Sequence, residues 1–206
     1  MHMTFQKYSI QIQIILSLVF IPLNFGISYL CSQVLQLPLF MDMIFVFAAS
    51  FFGLFCGVLT SLGYYVLWTL VMQYSFIHML YVICCLTGTL LTWLFVTRRK
   101  DYEESLSLWI CLVLLFFVST VIISLEGSFI YSFFIIGTDS PPEITTVMFL
   151  TYTLVMQNLG VQLSAFLARL PVNLLDKAIA VFGGFGVYIC INRIYRRIRF
   201  PAQARE

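Results

Sequence analysis

Residues 39–72 read LFMDMIFVFAASFFGLFCGVLTSLGYYVLWTLVM, an apolar run of 34 residues in which Asp42 is the only charged residue. An α-helix of this length would measure about 51 Å, because each residue adds about 1.5 Å, whereas the hydrocarbon core of a bilayer is about 30 Å thick. The run is therefore too long for one transmembrane helix. A turn at residues 53–57 (GLFCG) would divide it, and we expect transmembrane helices over residues 39–52 and 57–72.

The composition of the whole chain supports the same fold class. Of its 206 residues, 61% are hydrophobic and 10% are charged, against about 45–50% and 25% in soluble domains. A soluble fold could not bury so much apolar surface. Further apolar runs predict helices over residues 9–35, 75–96, 106–125 and 172–191. The sequence thus predicts an all-α integral membrane protein, with about six transmembrane helices in one bundle and a single domain over residues 1–206.

Residues 127–168 do not fit the simplest six-helix layout. The stretch 144–167 is long enough to cross a bilayer, but a lone crossing there would bring the total to seven and place the basic tail outside the cell. We therefore expect either a re-entrant segment or an additional helix pair in this region. Its threonine, glutamine and asparagine content favours a partly inserted outer segment that joins the fifth and sixth spans.

Two clusters of basic residues indicate the orientation of the bundle. The first cluster is Arg98, Arg99 and Lys100, and the second lies in the C-terminal tail at Arg193, Arg196, Arg197, Arg199 and Arg205. Basic loops are retained in the cytoplasm, and six crossings place both clusters there. We expect a multi-pass protein of the cell membrane with both termini cytoplasmic. The clusters suit contact with anionic membrane lipid, and no nucleic-acid motif accompanies them.

Four ionisable residues within or beside the apolar runs are candidates for a binding site. They are Asp42, Glu126, Asp176 and Lys177, and all fall in the predicted outer half of the bundle. Charges at membrane depth are costly and often functional. The alternative is that each lies near the membrane surface, where charged side chains reach water cheaply. For Asp42 alone this alternative is favoured, whereas for Glu126 and for Lys177 with Asn173 the two interpretations are balanced.

Two amide side chains complete the predicted ligand-binding set. Asn158 falls in the outer segment, and Asn173 lies one helical turn before Lys177. Residues at i and i+4 share a helix face, so Asn173 and Lys177 would suit an anionic or amide-bearing group of a ligand. The predicted set is Asp42, Glu126, Asn158, Asn173, Asp176 and Lys177.

The remaining chemistry of the sequence argues against an enzyme or a metalloprotein. No HExxH, GxSxG or Walker A pattern is present, and the two histidines have no evident catalytic partners. The six cysteines lie in apolar runs without CxxC spacing, which favours reduced side chains that fill space. We expect no cofactor and no metal. Small residues at 48–50 and at Gly183, Gly184 and Gly186 favour close packing between helices of this chain, with a partner-docking face as the alternative.

Three short stretches carry a family resemblance. They are the second span from Asp42 to the GLFCG turn, the basic loop at residues 98–100, and LPVNLLDK at residues 170–177. The last opens the sixth span with the pattern Pro-x-Asn-x-x-x-Lys and is the most telling. Together they resemble the substrate-binding S components of energy-coupling factor (ECF) transporters, which take up vitamins and micronutrients.

The resemblance implies a six-helix membrane protein that captures a small molecule in an outward-facing pocket. Such a protein docks on a transmembrane T component driven by two ATPase subunits and then topples in the membrane. The pocket would be lined by the outer ends of spans four to six, where Glu126, Asn158, Asn173 and Lys177 fall. Family members often dock through small residues spaced Ala-x-x-x-Ala in the first span, and this chain departs from that pattern.

Two other functions compete with uptake. Similar bundles can act as membrane sensors ahead of kinase or phosphatase domains, and a sensor of this length would need a separate signalling partner. An accessory protein without a ligand is the third interpretation. A stand-alone channel or pump is disfavoured, because the spans have no continuous polar stripe and no paired charges at the membrane midplane.

Overall fold

The computed structural model describes residues 3–4, 8–37, 39–73, 76–97, 101–102, 105–132 and 146–199, and these form a helical bundle. The α-helices are α1 (Ile10–Tyr29), α2 (Ile44–Phe52), α3 (Leu54–Met72), α4 (Val82–Thr92), α5 (Ser105–Ile130), α6 (Thr146–Met156) and α7 (Val161–Arg199). A π-helix at Leu30–Val34 extends α1, and a 3₁₀ helix at Phe76–Tyr81 leads into α4, which ends in a π-helix at Trp93–Thr97. Two-residue strands β1 (Met3–Thr4) and β2 (Asp101–Tyr102) pair antiparallel.

Five helical segments of the described chain are long and apolar enough to cross a membrane. They are Ile10–Val34, Leu54–Met72, His78–Thr97, Leu106–Ile130 and Val161–Arg197. The prediction of an all-α membrane bundle is confirmed.

The predicted second span is a discontinuous crossing. Its helix, α2, has only nine residues and begins at Ile44, so it is about 13 Å long. α2 runs antiparallel to α1, since the ring of Phe45 packs 5.6 Å from Phe20 and the ring of Phe52 packs 5.0 Å from Tyr8. α2 therefore covers the half of the bundle nearer Tyr8. Residues 39–43 cover part of the other half without helical structure, and we call them the non-helical leg. The non-helical leg and α2 together form the second of six crossings.

Asn24 of α1 explains why the helix begins at Ile44. Its side-chain amide donates to the carbonyl oxygen of Asp42, and its Oδ1 accepts the backbone N–H of Phe45 at 3.0 Å. Asn24 thus satisfies one backbone acceptor of the leg and one of the first N–H groups of α2, which have no partner within the helix. Non-helical backbone at membrane depth is tolerated where protein groups satisfy it in this way. A hydropathy pattern contains no such information, so the predicted helix over 39–52 was too long at its start.

Both ends of the described chain lie at one end of the bundle. Tyr8 donates a hydrogen bond of 2.7 Å to Oδ1 of Asn192, 184 residues away, and β1 near the N-terminus pairs with β2 before α5. Six crossings produce this arrangement. The arginines of α7 at 193, 196 and 197 are exposed at the same end, while the basic loop at residues 98–100 lies outside the described residues.

The region that was ambiguous in the sequence contains a short helix and an early start of the last one. α6 has eleven residues, so at about 16 Å it is too short to cross a bilayer. A turn at residues 157–160 reverses the chain, and α7 begins at Val161, eleven residues before the predicted start at 172. Val147 of α6 packs against Ala168 and Val172. The described part of residues 127–168 thus forms a helical hairpin remote from Tyr8, without a seventh crossing.

Gly184 is the closest contact between α2 and α7. A Cβ atom at this position would lie 2.8 Å from the carbonyl oxygen of Ile44 and 2.9 Å from the backbone nitrogen of Ala48. Backbone atoms cannot move aside as a flexible side chain can. The small residues at 48, 49 and 184 therefore pack within the chain, as the sequence favoured.

We expect Gly184→Ala to lower the free energy of unfolding by about 1–3 kcal/mol, because the added methyl group forces α2 and α7 apart. Gly186→Ala is the matched control in the same helix, since a Cβ there would meet no atom within 4 Å. The control should be neutral or slightly stabilising, because alanine favours helix by about 1 kcal/mol over glycine. Thermal unfolding of the two variants in detergent measures the difference, and equal melting temperatures would contradict the assigned packing.

Candidate functional site

A buried ion triad joins α7 to the non-helical leg. The ammonium nitrogen Nζ of Lys177 lies 2.6 Å from Oδ2 of Asp176 and 3.5 Å from Oδ1 of Asp42. Lys177 and Asp176 are 1% and 0% exposed, and the side chain of Asp42 is 19% exposed. Three of the predicted site residues are therefore in direct contact, although Asp42 is 134 positions from Asp176 in the sequence.

The triad lies deep in the bundle. The backbone carbonyl of Asp42 accepts a hydrogen bond from Asn24 of α1. Asn24 lies about 21 Å along the helix from its first residue, Ile10, and about 15 Å from Val34 at the other end. The surface position that the sequence favoured for Asp42 differs from this placement, because the leg descends to the level of Asn24 before α2 begins. At such depth a charge is expensive unless an opposite charge and hydrogen bonds compensate it.

The two carboxylates bind the leg and α3 as well as the lysine. Oδ1 of Asp176 accepts the backbone N–H of Met41 at 2.7 Å, and Oδ2 of Asp42 accepts the hydroxyl of Tyr65 at 3.4 Å. The triad thus supplies a partner for a backbone group that a helix would otherwise satisfy. The two carboxylates also compensate the positive charge of Lys177.

Asn173 and Glu126 lie on the facing helices α7 and α5. The amide of Asn173 donates a 2.9 Å hydrogen bond to Oγ of Ser124. Oε1 of Glu126 accepts a hydrogen bond from the hydroxyl of Thr87 at 2.7 Å, whereas its Oε2 is buried and has no hydrogen-bond partner in the described part of the chain. A buried carboxylate oxygen without a partner is unusual in a folded protein. Glu126 therefore has unused capacity to accept a hydrogen bond.

Asn158 lies apart from the other predicted site residues. It is exposed in the turn between α6 and α7, with a positive φ of 65°. Its backbone N–H donates to the carbonyl oxygen of Val155 at 3.0 Å. Asparagine tolerates the left-handed conformation that ends a helix, and the local turn accounts for its presence here.

Arg169 is a buried charged residue that the sequence reasoning missed. It is 6% exposed, and its guanidinium carbon lies 4.7 Å from the centre of the Tyr131 ring. Positions 169, 173 and 177 are four residues apart on one face of α7. The signal was therefore present in the sequence, but Arg169 lies three residues before the predicted start of the last span at Val172 and was not among the predicted site residues.

Other chemistry is sparse in the described part of the chain. There, no three histidine, cysteine, aspartate or glutamate side chains converge as a metal site would require, and the six cysteines are free thiols. An apolar groove between α4 and α5 is lined by Leu94, Phe95, Leu106, Ser107, Ile110, Cys111 and Leu114. It lies about 18 Å along α5 from Glu126 and has no charged residue. The polar face of α7 is the stronger candidate site.

We expect Lys177→Met to destabilise the bundle by about 3–5 kcal/mol, because it leaves two neighbouring carboxylates buried without a cation. Asp176→Asn should cost more than Asp42→Asn, since Asp176 is fully buried and makes the shorter contact with Lys177. Thermal unfolding in detergent of the three variants gives the ranking. Arg193→Gln, in the exposed tail, serves as a charge-removal control. A Lys177→Met protein as stable as Arg193→Gln would show that the triad does not hold the leg.

No family model matches this chain, and comparisons with curated proteins and with solved structures also found no match.

Proposed function

We propose that the chain binds a small, vitamin- or micronutrient-like molecule and serves its uptake as the S component of an ECF transporter. The observation that carries this proposal is the polar face of α7 opposite α5, remote from the Tyr8 end. There the buried Asn173 and Arg169 contact Ser124 and Gly127 of α5. The same stretch of α5 contains Glu126, which has a carboxylate oxygen without a hydrogen-bond partner among the described residues. A few buried polar groups with unused hydrogen-bonding capacity in an apolar surrounding are typical of small-molecule sites.

Two features of the fold support the proposal. The six crossings, with both described ends at one end of the bundle, agree with the layout that the family resemblance implies. In addition, Asp42 and the LPVNLLDK stretch, which carry the resemblance from distant parts of the sequence, meet in the ion triad. Their joint presence therefore has a physical reason, since each stretch supplies charges that the other needs.

The proposal assigns different tasks to the two halves of the bundle. The triad holds the non-helical leg, and the face of α7 beyond it binds the ligand. A transmembrane T component and two ATPase subunits would drive release into the cytoplasm, with the Tyr8 end facing that compartment. The face of α1 that points away from the bundle carries large exposed apolar side chains at Ile15, Leu18 and Leu23. A T component that docked on this face would therefore contact bulky residues.

A membrane sensor is the second candidate, and α7 favours it. With 39 residues α7 is about 58 Å long, so it exceeds a bilayer core and could transmit a ligand-induced shift to a separate signalling partner. Both candidates need a ligand at the same face. They differ in whether binding leads to ATP-dependent accumulation of that ligand.

The first test is native mass spectrometry of gently purified protein, followed by a thermal-shift panel of vitamins and related micronutrients. We expect a discrete bound molecule of vitamin size. Accumulation of that molecule in cells that also contain T-component and ATPase subunits would support transport, whereas binding without accumulation would favour the sensor. A purified protein that carries no small molecule and responds to no panel compound would overturn the proposal.

A site variant sharpens this test. Glu126→Gln should weaken ligand binding by about tenfold, because a hydrogen bond to a charged acceptor contributes about 1.5–3 kcal/mol. The amide oxygen can still accept from Thr87, so the fold should be retained. Gln157→Ala, at the exposed turn after α6, is the control and should bind as the wild type does. Unchanged affinity in Glu126→Gln, measured by calorimetry, would exclude Glu126 from the site.

A further inference from the structure

Arg169 is a buried cation with only neutral neighbours in the described part of the chain. Its Nη1 donates to the carbonyl oxygen of Ala165 at 3.3 Å, and its Nη2 donates to the hydroxyl of Tyr81 at 3.4 Å. Both hydrogen bonds are long, and a guanidinium has five N–H donors. The ring of Tyr131 covers the group at 4.7 Å. Among the described residues, no carboxylate lies within ion-pair distance of it.

None of the ionised groups that the structure describes pairs with this charge. Lys177 already engages the carboxylates of Asp42 and Asp176, and Glu126 directs Oε1 to Thr87. Burial of a cation without an opposite charge costs several kcal/mol. A protein that retains such a residue has either a compensating group or a ligand that supplies one.

We propose that Arg169 binds the anionic group of the transported molecule, a carboxylate or a phosphate, and that Oε2 of Glu126 accepts a hydrogen bond from the same molecule. This inference rests on the proposed function and names its substrate class. An organic anion that also carries a donor group would give a partner both to the buried guanidinium of Arg169 and to Oε2 of Glu126.

The surroundings of Arg169 suit an anion. The Tyr131 ring covers one face of the guanidinium by a cation–π contact, and the hydrogen bonds to Ala165 and Tyr81 use only two of its five N–H donors. A Cβ atom at Gly127 would lie 3.4 Å from Cδ and from Nε of Arg169, so the backbone of α5 borders the arginine directly. Gly127 follows Glu126 in α5, and both charged side chains also reach the neighbouring segment 81–87, since Arg169 donates to Tyr81 and Glu126 accepts from Thr87.

The test compares matched acidic and neutral ligands. Purified protein is titrated with nicotinate and nicotinamide, pantothenate and panthenol, and pyridoxal 5′-phosphate and pyridoxal, and the ligand that co-purifies is identified by native mass spectrometry. We expect the co-purified molecule to be anionic and the acidic member of a pair to bind at least about tenfold tighter. Arg169→Gln should abolish that preference, while Arg193→Gln, which removes a charge from the exposed tail, should retain it.

Arg169→Lys keeps the charge and guards against loss of the fold. It should bind the anion about tenfold more weakly than the wild type, since it lacks the planar fork. A neutral co-purified ligand, or an acidic preference that survives in Arg169→Gln, would overturn this inference and leave the uptake proposal intact. An anionic phospholipid as the only Arg169-dependent anion would also overturn it. Absence of any bound small molecule would overturn both.

Discussion

The contact between Lys177 and its two carboxylates determines how the bundle is built. The leg at residues 39–43 enters the bundle without helical hydrogen bonds, and in a bilayer each unsatisfied backbone group costs several kcal/mol. Asp176 supplies the acceptor for Met41, and Lys177 makes it possible for that carboxylate to remain charged in the interior. From α1, Asn24 donates a hydrogen bond to the carbonyl oxygen of Asp42 and accepts one from the backbone N–H of Phe45. α2 can be this short because side chains of α1 and α7 make hydrogen bonds that further turns of α2 would otherwise have made.

The ionisable residues of the described interior fall into two groups. Asp42 and Asp176 both pair with Lys177, and Asp176 also stabilises the backbone of the leg. Glu126 and Arg169 each retain unused hydrogen-bonding capacity. A ligand gains little from a group whose partners are already present, because it must first replace them. The second group is therefore better placed to recognise a molecule, even though the first has the greater number of charges.

Much of the fold could be predicted from the sequence, and the errors have definite causes. Hydrophobic length located five of the crossings, because length and apolarity are what a bilayer requires. A break was also predicted, as a turn over residues 53–57, but in the structure it is confined to Gly53 and α3 begins at Leu54. The φ of 155° at Gly53 is a conformation that only glycine adopts easily. The predicted start of α2 was wrong because one side chain, that of Asn24, satisfies the backbone of Asp42 and Phe45 from 18 and 21 residues away. The start of α7 was wrong because Pro171 suggested a helix start, whereas the structure accommodates it inside α7. Four of the five ionisable residues of the site region were predicted from the sequence. The fifth, Arg169, lies before the predicted start of the last span at Val172 and was missed.

The leg also constrains the order in which the protein can be assembled. α2 is too short to lodge in a bilayer by itself, and the acceptor for Met41 comes from a residue 135 positions later. During synthesis every other crossing precedes α7 in the chain, so residues 39–52 emerge from the ribosome long before Asp176, the acceptor for Met41, exists. Until the last helix is made, the leg has a backbone donor at Met41 without the acceptor that the folded protein gives it. In this protein the native contacts of an early segment are therefore completed by the latest one.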